Sequence, residues 1–150
     1  MATRSTIAIQ LEDGTVKQVY CHWDGYLDHN GKLLLENYTD PAKIEALINH
    51  GQISSLRKEI GEKHDFDERF DQTDHRYNWT NFYGRDRGET DVGYNTFKSL
   101  EDYTNNGQSE EYDYIFRKGA WYVKFYSTST KLLADAIADE MLERELAEDE

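Results

Sequence analysis

Two stretches of this chain alternate apolar and polar residues with a period of two, and each is broken by a turn signal. Ile7, Ile9 and Leu11 alternate with Thr6, Ala8 and Gln10, the pattern of a strand with one apolar face. Asp13-Gly14 is a hairpin turn pair, and Val16 to Asp24 resumes as a second strand, with Val19, Cys21 and Trp23 expected on the core face. Tyr112, Tyr114 and Phe116, then Trp121, Val123 and Phe125, repeat the pattern around Lys118-Gly119. Helical spacing fills the intervals. Residues 32–38 place Leu34, Leu35 and Tyr38 on one face. Asp40 as N-cap and Pro41 at the first helical position open a second helix, with Ile44, Leu47 and Ile48 inward and Gly51 as its stop. Ser99 to Asp102 resembles a capping box, and Asn105-Asn106-Gly107 closes that short helix. From about Thr130 a helix runs to the C-terminus with Leu133, Ile137 and Met141 as its stripe, flanked by Leu132, Ala136, Leu142 and Leu146. Residues 53–56 read as a connection and 57–78 as a long loop. Trp79–Tyr83 and Val92–Phe97 read as strands, and Gly84–Gly88 as a turn. Hairpins with helices between and after them predict an α+β fold: an antiparallel sheet built from hairpins, helices packed on one face, and a C-terminal acidic helix.

Charge decides which partners such a domain can have. The 150 residues carry 30 acids against 17 bases, a net charge of −13. Eleven Tyr, six Phe and three Trp argue for a folded core despite that charge. Duplex DNA is held by clustered Lys and Arg that neutralise phosphates, so direct DNA binding is not expected. No run approaches the ~18–20 apolar residues of a membrane span, and no membrane contact is expected. The first residues lead into only a short apolar run and do not read as a secretory signal. Cys21, the single cysteine, rules out an internal disulfide and points to a cytosolic setting. Residues 131–150 hold eight acids and two bases, a net −6, leaving −7 for residues 1–130. Residues 1–130 are therefore expected as a single α+β domain. Residues 131–150 would be a helix belonging to it, or a projecting acidic tail.

Candidate chemistry is sparse. Cys21 and His22 are adjacent, but successive strand residues face opposite ways, so Cys21 is expected in the core and His22 outside, beside Asp24. His22, Asp24, Asp28 and His29 are ligand types for Zn or Mn. Their spacing matches no standard site. A calcium loop fails in both available registers: one puts Tyr26 and Asn37 at the end positions, the other Arg69 and Phe70 at positions five and six, so no metal or cofactor is assigned. The acidic run His64 to His75 reads as a solvated loop. Arg85 and Arg87 sit among aromatics and can hold an anion, although Asp86 and Glu89 stand ready to pair with them. No G-x-S-x-G, Walker A, H-E-x-x-H, C-x-x-C or G-x-G-x-x-G occurs, and a non-enzymatic role is expected.

The run Ala2 to Ala8, the segment Tyr20-Cys21-His22-Trp23-Asp24-Gly25-Tyr26, and the pieces Leu34–Tyr38, Gly51–Leu56 and Tyr83–Thr90 together resemble a family of small tailed-bacteriophage and prophage proteins. The resemblance spans roughly residues 2–97 and brings no catalytic residues with it. It implies a phage accessory protein acting in the bacterial host cytoplasm. Combined with the acidity, the expectation is a protein that binds a host protein, in counter-defence or host takeover. Its contact would be a phosphate-mimicking surface formed by Asp135, Asp139, Glu140, Glu143 and Glu145 on a basic, nucleic-acid-binding partner. The alternative is a small-ligand or metal-binding domain, with enzymatic activity as an option, around His22, Asp24, His29, Arg85 and Arg87. A self-assembling structural component is a third reading.

Overall fold

A computed structural model describes residues 2–125 and 129–148. In chain order the elements are β1 (Ser5–Gln10), β2 (Val16–Cys21), α1 (Lys32–Asn37), α2 (Pro41–Asn49), β3 (Ile53–Ser55) and β4 (Asn81–Phe82). They continue with α3 (Tyr83–Arg87), β5 (Asn95–Phe97), α4 (Leu100–Asn106), β6 (Tyr112–Arg117), β7 (Ala120–Phe125), β8 (Lys131–Leu132) and α5 (Leu133–Glu148). Both alternating stretches form the expected hairpins: β1 pairs antiparallel with β2, and β6 with β7. The strand order is β4-β3-β2-β1-β6-β7-β8, and β5 pairs with the start of β2 on the edge it shares with β3.

The α+β architecture is as expected, but the sheet is mixed. The two hairpins join through β1 and β6, which run parallel with Ser5 opposite Tyr112 and Ile9 opposite Phe116. β3 also runs parallel to β2. Alternation along a strand reports which side faces the core; it carries nothing about the direction of a neighbour a hundred residues away, so the parallel joint left no mark in the pattern.

On one sheet face Ile7, Ile9, Val19, Cys21, Tyr114, Phe116, Trp121 and Val123 pack under α1, α2 and the first turns of α5, which contribute Leu34, Ile44, Leu47, Ile48, Leu133 and Ile137. Each such Leu or Ile, buried in full, contributes roughly 1.5–3 kcal/mol. The opposite face carries a smaller cluster, Ala8, Val16 and Ile115, covered by Phe97 and by Leu100 and Tyr103 of α4. That short helix thus lies across the sheet from α1, α2 and α5. Beside it a buried polar chain links the hairpins: Gln18 Nε2 donates to Thr6 Oγ1 at 2.9 Å, and Thr6 Oγ1 donates to Asp113 Oδ1 at 2.7 Å.

Local signals account for the helix ends. Asp40 Oδ1 accepts from the Ala42 N–H at 3.0 Å with Pro41 next in line, and Gly51 leaves α2 at φ +87°, where a side chain would collide with the Val92 carbonyl. Other expectations shift. Ile53–Ser55 is a strand because it pairs with the end of β2. Gly84 to Arg87 is helical, ended by Gly88 at φ +77°. Trp23 is 42% exposed, because β2 stops at Cys21 and Asp24 turns the chain at φ +56°.

Candidate functional site

The long loop between β3 and β4 is irregular but pinned from inside. Thr80, fully buried, ties it to the domain: its Oγ1 accepts from the Arg57 N–H and lies 2.9 Å from the Glu59 carbonyl, and the Tyr38 hydroxyl donates to the Arg57 carbonyl at 2.7 Å. A second anchor is Asp86, whose side chain is fully buried. Its Oδ1 accepts from the His64 N–H (3.1 Å) and Arg85 Nε (2.9 Å), and its Oδ2 from the Phe82 N–H (2.8 Å) and Arg85 Nη2 (3.2 Å). Arg85 spends its other hydrogens on the Ile60, Gly61 and Thr80 carbonyls. Backbone carbonyls and N–H groups that no regular element satisfies are thus satisfied by one ion pair.

Between this loop and the turn after β2 lies a cleft of about 560 Å³, within the range of ~300–1,000 Å³ common for small-molecule sites. Trp23, Phe66, Phe70, Tyr77 and Trp79 give it ring faces; Arg57, Arg69 and Arg76 give it guanidiniums; Asp24, Asp67 and Glu68 give it carboxylates. Arg76 grips Asp74 with two bonds (2.7 and 3.1 Å), lies over the Phe70 ring at 4.5 Å, and holds the Asp74 carboxyl down to about 2. Arg57 lies over Tyr77 at 5.1 Å. Asn81 Oδ1, on the lining, is buried with no donor facing it.

The residues singled out in the sequence fall in different places. Asp24 lines this cleft, while His29 lines a separate, shallower depression of about 260 Å³. His22 lines neither: its Nδ1 meets the Tyr20 hydroxyl at 2.7 Å, and burial together with the nearby Arg4 charge pushes the imidazole below its usual range. Arg85 is the internal anchor just described. Arg87 pairs with Glu89 and covers the Phe66 ring at 4.4 Å. Cys21 is fully buried, its thiol pushed up to about 12 by that burial. Among the described residues no three His, Cys, Asp or Glu side chains come together as a metal site would require. The cleft arginines are masked by the acidic run His64 to His75: Arg69 lies within it, Arg57 before it and Arg76 directly after it. Their signal was present: five of the eight arginines fall within residues 57–87, interleaved with six aromatics.

The acidic helix divides in two. Leu133, Ala136 and Ile137 are in the core, and Glu140 bonds Arg144, which also reaches Asp28 at 3.6 Å. Beyond Glu140 every described residue of α5 is exposed. Met141, Leu142 and Leu146 are 47%, 55% and 58% exposed. At 100° per residue, Leu142 and Leu146 stand nearly opposite Leu133, so they do not extend the buried stripe. They form a second one, bordered by Asp135, Asp139, Glu143 and Glu145.

Compared with known protein families, with curated proteins and with solved structures, the chain matches none. Among the described residues no helix is long and apolar enough to cross a membrane.

Proposed function

We propose that this protein acts by docking on another protein through the outer face of α5, as a non-enzymatic phage accessory protein that engages a host protein in the bacterial cytoplasm. The observation that carries the reading is the pair Leu142 and Leu146, each more than half exposed on the helix face turned away from the core. Leucines four apart on an exposed helix are the anchors of helix-in-groove recognition. Asp135, Asp139, Glu143 and Glu145 border them, and the only base of α5, Arg144, lies on the opposite side of the helix, so the complementary surface is an apolar groove with a basic rim. A rim that ordinarily meets phosphates has that character, and counter-defence or host takeover by occupying it fits the resemblance of residues 2–97. Carboxylates at the rim speed encounter and make it salt-sensitive.

A photo-crosslinking residue at Leu142, introduced in live bacteria, captures the partner. The purified partner is then titrated with the native chain and with L142E/L146E at low and high salt. The expected result is a loss of roughly tenfold or more from the double substitution and weaker binding of the native chain at high salt. Equal affinity for native and substituted chains, or binding indifferent to salt, overturns the proposal.

A further inference from the structure

The cleft beside the 57–78 loop holds charges that form no ion pair among the described residues. In a chain with 30 carboxylates, none lies within ion-pairing distance of the guanidinium of Arg57 or of Arg69 among the described residues, although both line the cleft. On the same lining the carboxylates of Asp67 and Glu68 take part in no ion pair and accept no hydrogen bond among the described residues. Guanidiniums and carboxylates without an ion-pair partner in bonding distance, Glu68 feeling only the through-space charge of Arg76, share one concavity with ring faces, and together they describe their complement. It is a ligand that has an anion, N–H donors and a flat ring at once.

Simple candidates satisfy part of this set. Inorganic phosphate answers the guanidiniums and leaves the rings and carboxylates idle. A free aromatic amino acid has a ring, an ammonium and one carboxylate, a single negative charge for two guanidiniums. A nucleoside monophosphate presents a near-dianionic phosphate, for which planar guanidiniums are the preferred donors, and a base that stacks on aromatic rings. An ionised carboxylate only accepts hydrogen bonds. Guanine presents two adjacent N–H donors to it, whereas the corresponding edge of adenine sets an acceptor beside its donor. We propose that this cleft binds a mononucleotide with guanine preferred, its phosphate held by Arg57 and Arg69, its base against the rings of Trp23 and Trp79, and Asp67 or Glu68 accepting from the base.

The site is separate from the outer face of α5, so either assignment can fail without the other. The test is calorimetric titration of the full chain with GMP, AMP, guanosine, inorganic phosphate and free tryptophan, with Trp fluorescence read in parallel. GMP is expected to bind saturably and quench the fluorescence, with each of the other four at least roughly tenfold weaker. R57Q/R69Q and D67N/E68Q should each weaken GMP by roughly tenfold or more at an unchanged melting temperature. Should the Arg57 change disturb the loop, R69Q alone, at an exposed position, carries the same expectation. Absence of saturable GMP binding, phosphate or tryptophan binding as tightly as GMP, AMP binding more tightly than GMP, or variants that bind like the native chain would each overturn the proposal.

Discussion

Asp86→Asn tests how the long loop between β3 and β4 is held. The two side chains are nearly the same shape, so packing is preserved and only the hydrogen-bond complement changes. Both oxygens of Asp86 face donors: His64 N–H and Arg85 Nε on one, Phe82 N–H and Arg85 Nη2 on the other. Whichever way an asparagine turns, its NH2 group confronts two donors. Two charge-assisted bonds are lost, and the Arg85 guanidinium, only 11% exposed, keeps a charge with no counter-charge. Breaking a buried pair from one side costs about 3–5 kcal/mol, a large share of the ~5–15 kcal/mol that holds a domain together. With a urea slope of about 2 kcal/mol per M for a chain this size, the midpoint falls by roughly 2 M. Urea unfolding followed by tryptophan fluorescence measures it, since Trp79 sits at the edge of the pinned loop. Arg87→Gln is the internal comparison, removing a neighbouring ion pair whose partners are about half and a third exposed; exposed pairs are worth less than about 1 kcal/mol. A D86N midpoint within about 0.5 M of native, or no lower than that of R87Q, would refute the view that this carboxylate organises the loop.

Other consequences are as direct. Gly61→Ala should cost at least about 2 kcal/mol in thermal unfolding and shift Trp79 emission, because Gly61 sits at φ +69° and a Cβ would enter the Trp79 ring; a wild-type melting temperature contradicts this. The Asp74 carboxyl carbon should titrate near 2 in NMR and rise only part of the way back in R76Q, because the backbone N–H of residue 76 still donates to it. The shift is downward, so its stabilising contribution is present above the unfolded carboxylate range and fades as pH falls through about 2; an unshifted Asp74 in the native chain would count against the two-bond grip. Cys21, with its thiol pushed up to about 12, should resist a disulfide reagent at mildly alkaline pH and react at once in denaturant; brisk labelling of the folded chain would show that the site is open.

Much of the fold was legible because it is local. The hairpins rest on alternation around Asp13-Gly14 and Lys118-Gly119, and α2 on Asp40, Pro41 and Gly51; all are decided within a few residues. The ion pairs of the Arg85 turn, with Asp86 and Glu89 as partners, were likewise legible from adjacency. What escaped depends on distant neighbours. Trp23 continues the parity of Val19 and Cys21, but the strand has already ended. Leu142 and Leu146 have helical spacing, yet the body of the domain stops at Glu140 and both are more than half exposed. Arg57 and Trp79 meet in one cleft only because Thr80 and Asp86 fold the loop back. Seven acids stand among five Lys or Arg in residues 57–78, so the net charge of the segment conceals its arginines.

The parallel joint between β1 and β6 also sets a timetable. β1 leaves the ribosome just ahead of β2 and pairs with it at once, but its other edge waits for Tyr112–Arg117, about a hundred residues later. At synthesis rates of about 5–20 residues per second, that edge stays open for roughly 5–20 s. During this interval Thr6 has no Asp113, and the row Ser5 to Ile9 presents bare backbone to any passing strand. The most central strand of the finished sheet is therefore the most vulnerable one in the nascent chain.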